Sequence, residues 1–377
     1  MFVSAVDAAS AEDQQPTAFA MFRRDCAARV LNRAYWGTVK WQDAQLARSR
    51  QRMSTLSASW TRLESLPDAP CARSSHRLSA LGGKAYVLGG ETTARTSIDS
   101  TIHCLDPAAG SWRSILPAHA PPPRVAHAQA AVGGKLIIFG GRSGVEMGEN
   151  ELGDLWLFDP DAETWSEVAP AGGASPSARS FHASTSVGDT LYVFGGCGAE
   201  GRLADLHAFS LETRRWTALP PPPDVTGRGG ATLEATADGT ALWLVGGFAG
   251  HETNDILRFD LGSHTWERKP SEWLRPRSVC VSLPLGRGLM LFGGEVSPSD
   301  RGHEGAGGFA SDLLAIDPLS GVPLELAVGS GSETPPARGW AAAAALSKTE
   351  GVLFGGLAGS DAAPERLGDA WLLRVGE

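Results

Sequence analysis

The sequence predicts an all-β chain folded as a six-bladed β-propeller, and three observations carry the prediction. A Gly-Gly pair ends an apolar run six times, at 89–90, 140–141, 195–196, 246–247, 293–294 and 355–356. An arginine precedes each pair by 16 to 18 residues (Arg73, Arg124, Arg179, Arg228, Arg277 and Arg338). A tryptophan opens most units (Trp60, Trp112, Trp165, Trp216 and Trp266). Successive pairs are 51, 55, 51, 47 and 62 residues apart, which is the period of a propeller blade with four short strands.

Within each unit the elements follow in order. The first strand comes just after the arginine, as in "SSHRLSAL" of the first unit, and the second ends at the glycine pair, as in "KAYVLGG". A third reads like "DLWLF", and a fourth starts at the tryptophan. Alternating large apolar residues pack against neighbouring blades, while the glycines leave room for a bend that a side chain would block. No blade buries both its faces alone; the closed ring does. The sixth unit ends at "DAWLLRVGE" without a tryptophan strand, whereas "SWTRLESL" at 59–66 is such a strand with no partners before it. The N-terminal strand is therefore expected to complete the last blade and remove two open edges. In the fifth unit "VPLELA" stands where the tryptophan strand belongs, and a less tightly packed fourth strand is expected there.

The propeller is assigned to residues 53–377. Residues 1–52 form a non-propeller extension whose segment "FAMFRRDCAARVLNRAYW" has helix-like apolar spacing with basic residues. It reads as a targeting presequence, against which Asp25 counts, or a docking helix; the alternatives are a disordered tail or a true start at Met53.

Charge and cysteine usage narrow the function classes. Residues 1–52 hold 8 Lys+Arg against 5 Asp+Glu, and the remainder 25 against 37, so the body is acidic and no nucleic-acid partner is expected. The five cysteines (Cys26, Cys71, Cys104, Cys197 and Cys280) are odd in number, widely spaced and without a CxxC pair, which fits a reducing, cytoplasmic setting. No apolar run approaches the roughly 20 residues that a membrane span needs. A monomer is expected. No Gly-x-Ser-x-Gly elbow occurs, and Tyr35, Tyr86 and Tyr192 are too few and too apolar in setting for a copper-radical oxidase.

Antiparallel pairing of strands one and two places the six arginines and the loops after Gly-Gly on one rim. Guanidinium groups there suit a small anionic substrate, and Arg73, Arg124 and Arg142 are the candidates; Arg142, in "GGRSG", lies outside the repeat pattern. The alternative is that each repeat arginine is held by an acidic or backbone partner and ties loops together. The loop "GGEVSPSDRGH" offers a metal set, Glu295, Asp300 and His303, suited to Fe(II), Mn(II) or Zn(II); the alternative is a solvated loop in which Ser299 and Asp300 cap turns. His76, His127 and His182 follow repeat arginines by three residues and read as inner-strand packing residues.

The repeat marks, with "DLWLFDPDAETW" and its echoes "DLHAFSLETRRW" and "DILRFDLGSHTW", resemble kelch repeats over residues 60–377. The array "ARSSH", "FGGRSG", "VFGGCGAEGRLADL", "GRGG", "GGEVSPSDRGHEGAG" and "PARGW" is similar to plant nitrile-specifier and epithiospecifier proteins, and most similar to their plant and fungal kelch relatives without a settled activity. The resemblance implies Fe(II)-dependent diversion of an unstable sulfated aglycone toward nitriles, epithionitriles or thiocyanates. It implies an iron loop of Glu, Asp four later and His four later still, matched here by Glu295, Ser299 and His303. Ser299 departs from that pattern, and Asp300 is the carboxylate one residue on. Arg73 and Arg124 would hold the sulfate. The other reading is a kelch scaffold without chemistry that docks a protein partner on the same rim.

Overall fold

The computed structural model describes residues 55–64, 68–145, 149–329 and 333–376, so the extension 1–52 lies outside the described residues. Thr55–Glu377 forms one compact unit. Blade one runs outward through Arg77–Leu81, Lys84–Leu88, Ile102–Asp106 and Ser111–Ile115, each strand antiparallel to the last. Blades two, three and four repeat the order from inner strands Ala128–Val132, Ala183–Val187 and Thr232–Ala235.

Second strands are buried on both faces, and for that reason read as continuous apolar runs. In blade one Ala85 and Val87 pack with Phe354 and Leu372 of blade six, while Tyr86 and Leu88 pack with Ile138 and Trp165 of blade two. The core is thus a set of clusters between blades. The tryptophans lock these seams: Trp112 lies 5.2 Å from Phe354, Trp216 5.1 Å from Phe139 and Trp60 5.2 Å from Phe292, each against the preceding blade.

The ring closes as the sequence implies. Leu56–Leu63 pairs antiparallel with the last strand, Ala363–Gly376, from Ser57↔Gly376 through Trp60↔Leu373 to Leu63↔Ala370. Blade five differs from the expectation of a looser fourth strand. Its own sheet has three strands, Val281–Leu285, Gly288–Phe292 and Leu313–Ile316. The chain begins the fourth position, with Ile316 opposite Pro323 and Leu324 N–H donating to Ala315 O at 2.8 Å. It then leaves, and Leu326–Val328 pairs in parallel with Leu56–Ala58 of blade six. Pro323 has no N–H to give the ladder, and no tryptophan holds the strand to its own blade.

The glycine pairs have a specific task at the seams. A Cβ on Gly89 would lie 2.4 Å from Arg124 O, and one on Gly293 2.6 Å from Arg338 O; both glycines have positive φ, 67° in each. The second glycine donates its N–H to the same carbonyl at every seam, from Gly90→Arg124 at 3.0 Å round to Gly356→Arg73 at 2.9 Å. A further belt runs round the channel mouth. Ser75, Ala126, Phe181, Gly230, Val279 and Trp340, one per blade, are all left-handed, and each N–H donates to the preceding member's carbonyl at 2.7–3.1 Å. Five of them are not glycine, so strain of roughly 1–3 kcal/mol each is held by a ring of bonds that fixes every member twice.

Candidate functional site on the glycine-pair rim

The repeat arginines have their backbone at the rim, but their side chains turn away from the mouth into the blades. Each is 1–3% exposed. Arg124 donates Nε to Pro122 O, Nη1 to Gly140 O at 2.9 Å, and both Nη atoms to Asp154 at 2.8 Å. Arg179, Arg277 and Arg338 do the same with Asp205, Asp312 and Asp369, and Arg228 donates through Nη1 to Asp255 at 2.7 Å and to Thr253 Oγ1. This corrects the assignment of Arg124 as an anion ligand: its donors are spent on its own blade.

Arg73 is also withdrawn, with a difference. Thr101 occupies the position of the partner aspartate, and Arg73 instead donates to Cys71 O, to Gly89 O, and through Nη2 to Cys71 Sγ at 3.2 Å, with His103 Nε2 at 3.3 Å. Burial, and then the Arg73 charge, push His103 down to about 4, so it is neutral at physiological pH. Blade three shows the completed arrangement, in which Asp205 binds both Arg179 and His207. Thr101→Asp is therefore expected to stabilise the fold by about 1–2 kcal/mol, the range of a charge-assisted hydrogen bond. The denaturant midpoint at constant slope measures it.

Next along the rim comes the residue directly after each glycine pair, Glu91, Arg142, Cys197, Phe248, Glu295 and Leu357, of which Cys197, Phe248 and Glu295 line a cavity. Each is bridged to the residue after a repeat arginine, for example Ser278↔Glu295 and Val125↔Arg142. Arg142 is fully buried, with its guanidinium 5.2 Å from the Phe181 ring centre, so it backs the rim and does not project into it.

Over this ring lies a cavity of about 240 Å³ walled by Phe181, Phe248 and Trp340, with Glu295, Ser299 and the exposed Arg202 at its edge. Arg202 stacks 4.8 Å over Phe248. Glu295 reaches the cavity because Glu295–Ser297 pairs with Gly308–Phe309 and folds the intervening loop back. Glycines at 305 and 307 permit this, since a Cβ at 305 would strike Ser299 and Asp361, and one at 307 would strike Ser297 O and Glu295 Oε1.

Glu295 is 6% exposed and its Oε1 has no hydrogen-bond partner. Burial, and then the like charges of Glu252 and Asp361, push its carboxyl up to about 7, against the pull of the Ser299 and Gly307 N–H groups. Burial also raises Glu252, which is 8% exposed and likewise has an unpartnered Oε1.

Of the proposed metal set, only Glu295 is placed in the site. Asp300 is exposed and does not line the cavity. Ser299 Oγ donates to the Asp361 carboxylate, and Arg301 Nη1 donates to Asp361 O at 2.7 Å, tying this loop to blade six. The His303 side chain lies outside what the structure describes. Among the described residues no three His, Cys, Asp or Glu side chains form a metal-binding group. His76 and His182 are buried and contact Phe354 O and Phe139 O, in keeping with a packing role.

Arg202 and Glu252 were not singled out from sequence. Arg202 had a signal, because like Arg142 it is a loop arginine after Gly-Gly that the repeat does not require.

Residues 75–294 match the KLHDC2/KLHL20/DRC7 Kelch-repeats domain. The chain belongs to the kelch-repeat family. This kelch propeller is 29% identical over 293 residues to an N-(sulfonatooxy)prop-2-enimidothioate sulfolyase of Thlaspi arvense, covering 70% of this chain and 82% of that protein. It is 30% identical over 299 residues to Adagio-like protein 3 of Oryza sativa subsp. japonica, and 31% identical over 218 residues to the Rab9 effector protein with kelch motifs of Bos taurus. Those alignments take in 73% and 52% of this chain but 45% and 55% of the relatives, so the kelch chain spans about half of each.

Proposed function

We propose that the rim cavity binds a small sulfonatooxy imidothioate anion and directs its breakdown toward a nitrile, the N–O bond breaking to release sulfate as the C–S bond breaks to release sulfur at the zero oxidation level. The supporting observation is the pairing of an aromatic-walled cavity with the exposed Arg202 on one side and the unpartnered, buried Glu295 Oε1 on another. The name of the Thlaspi arvense relative supplies the substrate class.

Phe181, Phe248 and Trp340 would hold the apolar part of such a molecule and exclude water from it. Arg202, fixed by stacking on Phe248, would take the sulfonatooxy group. A divalent cation suits Glu295, whose raised carboxyl and like-charged neighbour Glu252 it would relieve; Glu295 and Glu252, with His303 as the nitrogen donor, would hold Fe(II). Bound there, Fe(II) would supply Lewis-acid affinity for the sulfur or oxygen of the substrate.

The test is anaerobic elemental analysis of the purified chain after Fe(II) loading, followed by product analysis on myrosinase-released aglycone. Wild type is expected to retain iron and to shift products toward nitrile. Arg202→Ala should retain iron and lose about tenfold or more of the nitrile yield, in line with one lost charge-assisted contact. Glu295→Gln should lose both. Wild type that takes up no iron and leaves the product spectrum unchanged would overturn this reading in favour of a rim that docks a protein. That second reading has its own support in the half-buried Phe248, Phe309 and Trp340 beside Arg202, the residue types that anchor protein interfaces.

A further inference from the structure

A second space lies behind the belt, enclosed by the six inner strands. Its volume is about 230 Å³, and its walls are mostly alanine and serine, which keep the channel open. Two opposite charges enter it from blades one and four, on opposite sides of a six-membered ring: Arg77 and Glu234. Arg77 donates Nε to His127 O at 2.7 Å and Nη2 to His182 O at 3.0 Å, so its guanidinium is held across two other blades. Glu234 accepts from Ser282 Oγ at 3.1 Å.

The two side chains influence each other electrostatically, yet no ion pair joins them among the described residues. Burial pushes Glu234 up to about 8, so its carboxyl is protonated in the empty channel at neutral pH, and it lowers Arg77, which stays charged without a contacting carboxylate. Two further polar groups of the wall are unpartnered. Gln129, 7% exposed, gives Nε2 to Tyr86 O and leaves Oε1 unpartnered, and Thr232, 6% exposed, has an unpartnered Oγ1.

We propose that the channel binds an amino-acid-sized zwitterion, its carboxylate on Arg77 and its ammonium on Glu234, with Gln129 Oε1 and Thr232 Oγ1 accepting and donating the remaining bonds. A single anion would leave Glu234 in the protonated form that burial favours, a single cation would leave Arg77 without a counter-charge, and the ammonium of a zwitterion would draw Glu234 to its carboxylate while the carboxylate meets Arg77. The site is separate from the rim cavity and does not depend on the function proposed for it.

Glycine and serine serve as probes, with acetate and ethylammonium as single-charge controls, followed by saturation-transfer NMR and melting temperature on the full chain. The zwitterions are expected to bind at millimolar or lower concentration, about tenfold or more tighter than either control, the factor set by one additional charge-assisted bond. Glu234→Gln, which keeps the shape and the Ser282 contact, should weaken zwitterion binding by about tenfold while leaving acetate unchanged. Arg202→Ala on the rim should change neither. Zwitterions that bind no better than acetate, or equally well to Glu234→Gln, or not at all, would overturn the proposal in favour of a channel holding only water.

Discussion

Deleting residues 56–63 from the full chain is expected to abolish the cooperative melting of the propeller. The strand Leu56–Leu63 sits inside blade six, antiparallel to Ala363–Gly376 on one side and parallel to Leu326–Val328 on the other. It places Leu56, Ala58 and Trp60 at 0–4% exposure in the seam with blade five, among Leu283, Phe292 and Leu373. Loss of a buried Trp costs about 3–5 kcal/mol and of a buried Leu about 2–5, before any ladder bond is counted. Net stability of a domain is only about 5–15 kcal/mol, so the deletion takes most or all of it. Trp60→Ala alone should cost about 3–5 kcal/mol and leave a two-state transition at lower denaturant. Calorimetry on both variants separates the cases. An unchanged melting temperature in the deletion would break the closed-ring assignment and, with it, the grouping of side chains at the mouth.

The parts of the fold that were legible in the sequence are those in which one blade repeats the same physical demand. A positive φ and a neighbouring arginine carbonyl leave no room for a Cβ at Gly89 or Gly293, so the pairs recur and can be counted. For the repeat arginines the sequence offered two readings, and the bonds favour the one with acidic and backbone partners, whose signal is in phase: Asp154, Asp205, Asp255, Asp312 and Asp369 stand at the start of the "DLWLF"-type segments. A buried guanidinium that recurs in step with a carboxylate is a structural pair, and the mouth is left to residues that do not repeat. Glu295 stood out in the sequence through the clustering of carboxylates and an imidazole in "GGEVSPSDRGH", and it lines the cavity. Asp300 was not distinguishable from a ligand by spacing alone, since one residue along a loop decides between cavity and solvent. Arg202 and Glu252 meet Glu295 only through the closing of three blades round one axis, which periodicity along the chain does not encode. In blade five Pro323 was visible, but its consequence, a strand passed to the next sheet, needed the exposed edge of Leu56–Leu63 to receive it.

Arg124→Met is expected to destabilise the chain by about 3–5 kcal/mol, the cost of breaking a buried ion pair from one side. The substitution keeps much of the side-chain volume and removes the charge, leaving Asp154 and the carbonyls of Pro122 and Gly140 without their donor. Arg73→Met is the informative comparison. Arg73 is equally buried but has no carboxylate partner, so its removal orphans two carbonyls and no anion, and should cost distinctly less. The pH dependence gives the sign. Burial alone would raise Asp154, but the bonds and charge of Arg124 hold its carboxyl below the usual range. A depressed carboxylate contributes stability that is present above its unfolded pKa of about 3.9 and is lost as pH falls through the folded value. The gap between wild type and Arg124→Met should therefore be full at neutral pH and narrow below about pH 4 toward the folded value of Asp154, whereas any narrowing for Arg73→Met follows the His103 imidazole, freed from the Arg73 charge, and is over by its wild-type value of about 4. Equal costs for the two variants at neutral pH, or parallel acid profiles, would mean that the backbone bonds of the arginine and not its carboxylate hold the blade together.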